Sequence, residues 1–225
     1  MDSVTPPLHD LVIRTIAEFL PDDNITLAML QRLNRRFYSL RDIFIEQLVL
    51  YYVLSTYATR HKPYGWNKVR SLRLGYGEDI PDLSAINNVF SVVIEGTQID
   101  DLSALAGGKL RYITLNCCNN ILDVSPLSGF HSVSLSSCYH IYDVSPLRNV
   151  HSLSFSFMNI RDISSLKGGR LYSICLHMCS EITDVSALKD VHTVTLALCA
   201  SITDVSALKK VPKLTISGCY NIVKN

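Results

Sequence analysis

The stretch from Val133 to Leu147, V-S-L-S-S-C-Y-H-I-Y-D-V-S-P-L, decides the fold because close copies of it lie on both sides. Its Asp-aliphatic-Ser element returns every 19 to 22 residues. The aspartates of this element are Asp82, Asp101, Asp123, Asp143, Asp162, Asp184 and Asp204. Each copy is preceded by two apolar residues separated by one position, as Val133 and Leu135 precede this one. This spacing within a longer period predicts one short strand per coil of a solenoid.

A second column lies three residues beyond the second apolar residue of each pair. It takes up five of the seven cysteines and reads Gly77, Thr97, Cys118, Cys138, Met158, Cys179, Cys199 and Cys219. The complete pattern, L-x-x-L-x-L-x-x-C-x-x-I-x-D-V-S-x-L, resembles that of the leucine-rich-repeat family. The resemblance implies an α/β solenoid over residues 69–225, a right-handed superhelix of about eight coils of 19–22 residues. Each coil would pair a strand with a convex-side turn or short helix.

Two polar columns are expected to organise the convex turns. Ser before Pro126 or Pro146, and before Ala in most other coils, is typical of a helix start, where its side chain caps backbone amides. The Asp two positions earlier is expected to close a local turn onto backbone amides. Stacked carboxylates would otherwise repel one another. A calcium ladder is the alternative explanation of this column.

The first 68 residues have a different pattern, with aliphatic residues at helical spacing. The segments L-H-D-L-V-I-R-T-I-A-E-F-L and L-A-M-L-Q-R-L-N-R-R-F-Y-S-L, within residues 6–40, resemble the F-box, a helical module that docks substrate receptors onto the adaptor of cullin-RING ubiquitin ligases. We therefore divide the chain into an F-box-like cap (1–40), a linking and capping helix and loop (41–68) and the repeats. The resemblance implies an adaptor-binding set of Leu8, Val12, Ile13, Ile16, Leu20, Leu27, Leu30, Leu33, Arg36 and Phe37. The alternative is a helical bundle that only covers the first coil.

Composition excludes several classes of partner. The chain has 225 residues, of which 48% are hydrophobic, with 21 Lys plus Arg against 20 Asp plus Glu. Neither part of the chain has the basic excess that nucleic acids or anionic lipids select. The longest apolar stretch, residues 43–58, contains Glu46 and Gln47 and is too short to span a bilayer. We predict no nucleic-acid partner and no membrane partner.

Cysteine and histidine could also form a metal site or a catalytic pair. The cluster at Cys117, Cys118, Cys175, His177 and Cys179 contains no Cys-x-x-Cys pair, and repeated cysteines provide no single nucleophile beside a base. We predict no metal, no cofactor and no enzymatic activity. The odd number of cysteines and an opening segment unlike a signal peptide predict a cytoplasmic or nuclear location.

The candidate target-binding surface is the concave strand face, where residues between and after the apolar pairs point to solvent. Charge is nearly absent there from the third coil onward. The predicted residues are Tyr76, Thr114, Asn116, Ser134, Ser136, Ser154, Phe157, His177, Met178 and Leu198. The alternative is that small hydroxyl residues merely tolerate close strand packing. A possible rim column, two positions before each pair, reads Phe90, Arg111, His131, His151, Tyr172 and His192.

Together these features predict a non-catalytic substrate receptor that links a protein target to an SCF-type ubiquitin ligase through the adaptor and cullin. That function is implied by the F-box resemblance. The alternative is a free-standing leucine-rich-repeat scaffold whose amino-terminal helices only cap it. The D-V-S-P-L coils also resemble those of bacterial surface adhesins.

Overall fold

The computed structural model describes residues 71–74, 83–86 and 89–223. The predicted helical module (1–40) and the linking segment (41–68) lie outside these residues, as do all ten predicted adaptor-binding residues. The described part contains the repeats from the first strand onward.

Each repeat contributes one short strand to a parallel sheet. The strands follow one another in chain order, and neighbours in sequence are neighbours in the sheet. They are β1 (Ser71–Leu74), β2 (Ser91–Glu95), β3 (Tyr112–Asn116), β4 (Ser132–Ser136), β5 (Ser152–Ser156), β6 (Ser173–His177), β7 (Thr193–Ala197) and β8 (Lys213–Ser217). The sheet is open, since β1 and β8 pair with one neighbour each. This confirms the predicted one strand per coil.

The register pairs equivalent residues of successive coils. Val133 of β4 lies beside Leu153 of β5, and Leu135 lies beside Phe155. Both members of each pair are buried from β2 to β7. Each coil therefore buries its apolar residues against the next, as expected of a solenoid in which no coil forms a core alone.

Short 3-10 turns, rather than α-helices, cover the side of the core opposite the sheet. They lie at Leu83–Ile86, Ser103–Leu105, Ser125–Leu127, Ser145–Asn149, Ser164–Leu166, Ser186–Leu188 and Ser206–Leu208. Each turn places a buried leucine or isoleucine, such as Leu127 or Leu147, on the core. The 3-10 form is typical of segments this short.

The cysteine column is buried, as predicted. Cys118, Cys138, Cys179 and Cys199 have no exposed surface, whereas Cys219 of the last coil is half-buried. The Cys138 thiol donates to the carbonyls of Leu115 at 3.5 Å and Ser136 at 3.4 Å. The other three thiols make equivalent pairs of bonds. The column thus fills the core and also binds carbonyls where the chain leaves each strand.

The prediction that serine side chains cap the turns is wrong, because the aspartate carboxylate accepts the hydrogen bond from the backbone amide. The Ser145 amide donates to Oδ1 of Asp143 at 2.8 Å. Asp101, Asp123, Asp162, Asp184 and Asp204 accept the same bond at 2.7 Å. Serine hydroxyls instead donate to the second carboxylate oxygen, as Ser125 does to Asp123 at 2.7 Å. The carboxylate reaches the amide first because it stands two residues earlier, which is the Asx-turn geometry.

These caps predict a loss of stability in acid. The bond from the serine amide, followed by that from the serine hydroxyl, lowers the pKa of Asp101, Asp143, Asp162 and Asp204 below the usual 3.8. A lowered pKa in the fold means that the stabilisation is fully present above pH 3.8 and is lost as the pH falls through the folded value. Replacing the four with Asn, which keeps an acceptor oxygen, should flatten the fall in urea midpoint between pH 5 and pH 2. Asp190→Asn is the control, since that carboxylate pairs with Lys189 at 3.9 Å and caps no turn. An unchanged acid profile in the four-site variant would contradict the assignment.

Candidate protein-binding face

The outward side chains of the central strands form a surface of small, uncharged groups. We call the outward residues of β4 to β7 the strand face. All are half-buried, and they are Ser132, Ser134, Ser136, Ser152, Ser154, Ser156, Ser173, Cys175, His177, Thr193, Thr195 and Ala197. No Asp, Glu, Lys or Arg is among them. The hydroxyls both donate and accept hydrogen bonds, so the strand face can bind polar groups without requiring a charge.

Most of the predicted target-binding residues lie on this surface or beside it. Ser134, Ser136, Ser154 and His177 belong to the strand face, and Thr114 and Asn116 continue it on β3. The Asn116 amide donates to Glu95 of β2 at 2.9 Å, so the charge at this end is held within the sheet. Tyr76 lies outside the described residues.

Three apolar side chains border the strand face where the chain leaves β5, β6 and β7. We call Phe157, Met178 and Leu198 the apolar strip, and their side chains are 43%, 40% and 42% exposed. They occupy one column on three successive coils. Phe157 also meets the edge of the His177 ring, with centroids 5.3 Å apart. This strip is the largest continuous departure from the small, polar character of the strand face.

The backbone of this column is left-handed, which the sequence analysis missed. Phe157, Met178 and Leu198 have φ of 53°, 52° and 55°, and Cys117 and Ser137 have nearly the same value. The available signal was glycine at both ends of the column, Gly96 and Gly218, which also have positive φ. Only glycine adopts this conformation without steric cost.

The left-handed turn extends the hydrogen bonding of the sheet by one residue. The amides of Phe157, Met178 and Leu198 donate to carbonyls of the next coil at 3.0, 2.9 and 2.8 Å. The acceptors are His177, Ala197 and Ser217. The apolar side chains are therefore held on a backbone whose donors are already paired.

A ladder of aromatic rings runs along the other edge of the sheet. The rings belong to Phe90, Tyr112, His131, His151, Tyr172 and His192, with successive centroids 4.5 to 5.4 Å apart. His131 and His151 stack at 4.6 Å, and Tyr172 and His192 stack at 4.5 Å. These contacts form a structural ladder along the predicted rim column.

Arg111 occupies the rim column as predicted, but its side chain is not part of the ring ladder. Its backbone does occupy the column, because its amide donates to Phe90 and its carbonyl accepts from His131. Its guanidinium instead donates to the carbonyls of Gly108 and Leu110, both at 3.1 Å. Tyr112, the next residue, supplies the ring, since it can contact both aromatic neighbours.

Three of the four fully buried thiols, at Cys138, Cys179 and Cys199, lack the features of a nucleophile. The hydrogen bond with the Cys138 thiol lowers the pKa of the fourth, Cys118, to about 7, but this thiol has no exposed surface. Burial raises the pKa of Cys179 to about 11 and also raises the pKa of Cys199. The hydrogen bond with the Cys118 thiol, together with burial, raises the pKa of Cys138 above its usual range. Protonated, inaccessible thiols of this kind fill space and donate weak hydrogen bonds.

The part of the chain that the structure describes shows neither a metal-binding cluster nor a membrane-spanning helix. There, no three His, Cys, Asp or Glu side chains are grouped so that they could hold a metal ion. In residues 71–74, 83–86 and 89–223, no helix has the length and apolar character needed to cross a bilayer.

The open parallel sheet, the buried columns and the 3-10 turns define a leucine-rich-repeat-like fold. No protein-family model matches the sequence, and no curated protein matches it. Several solved structures do match this chain.

The first is an internalin, InlF, from Listeria monocytogenes, with 27% identity and a TM-score of 0.54. The match covers 67% of this chain and 47% of that chain, so this chain spans about half the length of that internalin. Internalin C2 of the same organism matches at 22% identity and a TM-score of 0.50, covering 67% and 72% of the two chains. The leucine-rich-repeat domain of the type III effector XopL matches at 15% identity and a TM-score of 0.52, covering 99% and 83%. The second and third, at such low identity, support the fold alone.

Proposed function

We propose that this chain is a protein-interaction module that binds a protein target on the strand face and the adjacent apolar strip. The observation that carries this proposal is the conjunction of an uncharged hydroxyl surface with three exposed apolar side chains on successive coils. Contiguous exposed apolar residues bordered by polar ones are typical of protein-binding surfaces. The hydroxyls provide hydrogen bonds that orient the target, and the apolar residues provide the burial that stabilises the complex.

The strand face is less suited to binding a small molecule or to catalysis than to binding a protein. Its hydroxyls are spread over four strands, whereas small-molecule sites enclose most of their ligand. The four fully buried thiols are inaccessible. We therefore propose a non-catalytic role, and the seven free cysteines support a reducing, cytoplasmic or nuclear compartment.

Charge placed at the centre of the strand face should abolish target binding. Ser134 and Ser154 lie side by side on β4 and β5, so the variant S134R/S154R introduces two bulky cations where a target would be desolvated. Quantitative affinity purification of the full chain should recover the target with the wild type and at least ten-fold less with this variant.

The matched control is S128R, because Ser128 is exposed after its 3-10 turn and Arg148 already occupies the equivalent position of the next coil. Circular dichroism should show that all three proteins are folded. Equal recovery of the target by S134R/S154R and by the control would place the binding surface elsewhere and refute the proposal.

A finer proposal concerns residues 6–40, which resemble an F-box. We propose that this segment binds the ligase adaptor, so that a target held on the strand face is presented to an SCF-type ubiquitin ligase. The support is the sequence alone, in particular its aliphatic spacing and the Arg35-Arg36-Phe37 end. The competing proposal is a scaffold with no link to ubiquitination.

Charged substitutions in the amino-terminal segment separate these two proposals. Ile16→Asp with Leu30→Asp would put carboxylates among the apolar residues expected to bind the adaptor, and should abolish co-purification of adaptor and cullin. Recovery of the strand-face target should be unchanged, since the substitutions lie outside the repeats. If purified wild-type chain fails to bind purified adaptor while the target still binds, the ligase role is wrong and the scaffold remains.

A further inference from the structure

We propose that the apolar strip receives an amphipathic α-helix of the target, lying across the strands, with about one apolar side chain per helical turn on each of Phe157, Met178 and Leu198. This inference rests on the proposed function and specifies its partner. It commits to a helix, in preference to an extended segment, for three reasons given below.

The first reason is spacing. Adjacent strands of a sheet lie about 4.8 Å apart, so three successive coils present their side chains over about 9.6 Å. One face of an α-helix presents residues i, i+3 or i+4, and i+7 over about 10.5 Å. Three alternate residues of an extended chain span about 13 Å, which moves the third side chain out of register with the strip. A helix laid across the strands therefore matches the strip more closely than an extended segment does.

The second reason is backbone hydrogen bonding. An extended segment brings unpaired amides and carbonyls to the surface that it contacts, and these lose water on binding. The amides of Phe157, Met178 and Leu198 are all consumed by bonds to the next coil. The strip lies at the ends of interior strands, where β-strand addition has no free edge. The backbone groups of a helix are hydrogen-bonded within the helix, so a bound helix needs no hydrogen bonds from the backbone of the strip.

The third reason is charge. The residues that precede the strip on the same strands are Ser156, His177 and Ala197, and none is Asp, Glu, Lys or Arg. Farther along the chain, Arg161 and Glu181 pair with each other at 3.2 Å. A charged side chain pressed onto this surface would lose water and would meet no carboxylate, ammonium or guanidinium among these residues. The contacting face of the partner is therefore apolar with small neutral flanks, and its charges lie on the far side, which is the pattern of an amphipathic helix.

The apolar character of the strip is not needed for the fold. The same left-handed column carries Ser137 and Cys117 on neighbouring coils and glycine at Gly96 and Gly218. Bulky apolar residues at this φ cost more than glycine would, and they leave apolar surface in water. Leu198 also leans over the last coil, because a Cβ built on Gly218 would meet its Cδ2 atom. The three exposed side chains thus lie in one column on successive coils, and the fold alone does not require them to be apolar.

The test uses the full chain and two displayed libraries as probes. In one library a single helix of a rigid helical bundle is randomised on its exposed face, and in the other the strands of a disulfide-closed β-hairpin are randomised. Binders are selected against the wild type and re-measured against F157S/M178S/L198S, a change that places serine where Ser137 already stands. The control is L122S/Y142S, which removes apolar side chains that are 67% and 60% exposed in a different column.

We expect the helix library to give binders with apolar residues at i, i+3 or i+4, and i+7. Their affinity should fall at least ten-fold on F157S/M178S/L198S and less than two-fold on L122S/Y142S. The inference is overturned if strip-dependent binders come mainly from the hairpin library, if no library gives any, or if helical binders ignore the strip. Each of these failures leaves intact the loss of target by S134R/S154R, so the proposed function is judged separately.

Discussion

Replacing Phe155 with alanine is expected to lower the free energy of unfolding by about 3–5 kcal/mol, the range for truncating a fully buried aromatic residue. Phe155 has no exposed surface and is the largest of the fully buried side chains. In the register of the sheet it lies between Leu135 of β4 and Leu176 of β6. The substitution would leave a cavity between three coils, and the paired backbone of the sheet limits how far the coils can close around it.

The measurement is urea unfolding followed by far-ultraviolet circular dichroism, with Phe155→Leu as the matched control. Leucine occupies the same column in the four neighbouring repeats, at Leu115, Leu135, Leu176 and Leu196. The control should therefore cost no more than about 1.5 kcal/mol, as volume-conserving changes usually do. Phe157→Ala should cost less than Phe155→Ala, because that ring is exposed. A loss below about 1 kcal/mol for Phe155→Ala would mean that the coils repack freely, contrary to the described core.

The core could be predicted almost completely from the sequence because its determinants are periodic. Spacing of two placed Val133 and Leu135 on the inner face of a strand, and recurrence of the whole pattern made each coil a copy of the last. The cysteine column followed from the same reasoning, because a residue that recurs in phase with buried leucines shares their environment. Period and burial are linked by geometry, so no tertiary information was needed.

The strand face could be predicted only in part. The position of its hydroxyls follows from the alternation of the strands, but the left-handed column does not, because three bulky apolar residues at positive φ contradict local preference. The stacking of neighbouring coils overrides that preference by pairing each amide of the column with the next coil. In the sequence, only Gly96 and Gly218 indicated a left-handed conformation in this column.

In two places, neighbouring residues compete for one position in the coil. Both Asp143 and Ser145 can cap a turn, and the aspartate does so because its carboxylate reaches the Ser145 amide. Both Arg111 and Tyr112 are close to the ring column, and the tyrosine joins it because its ring contacts Phe90 and His131. The repeat pattern predicts where in the coil a contact forms. Which of two nearby residues makes that contact depends on the length and shape of their side chains.

The division of roles along the chain follows from these observations. Chemistry that fixes the fold, namely the thiols and carboxylate caps, lies in the core and at the turns. The side chains of the strand face and the apolar strip stay partly or largely exposed in the fold, so a partner can contact them. The proposed link to a ubiquitin ligase depends on a separate segment, residues 6–40, and is tested without disturbing the repeats.

Gly169→Ala is expected to destabilise the repeats by about 3 kcal/mol, at the upper end of the usual cost of overpacking. A Cβ built on Gly169 would overlap the carbonyl oxygen of Arg148 on the preceding coil and would lie 2.9 Å from its carbonyl carbon. Two of the three obstructing atoms are backbone, the third being Cγ of Arg148, so a rotamer change alone does not relieve the contact. The same oxygen accepts from the Arg170 amide at 3.2 Å, so moving the coils apart would also weaken a hydrogen bond between them.

Gly129→Ala is the matched control, because it follows a 3-10 turn in another coil and an added Cβ meets nothing within 4 Å. Its φ is not in the left-handed region, so alanine should leave stability unchanged or raise it by up to about 1 kcal/mol through the unfolded chain. The two variants should therefore move the urea midpoint in opposite directions or by clearly different amounts. In native-state hydrogen exchange of Gly169→Ala, protection of amides should be lost first at Arg170 and in β6, next to the forced contact. Equal stability of the two variants would contradict the prediction, because it would mean that the coils at Arg148 and Gly169 can move apart without a loss of free energy.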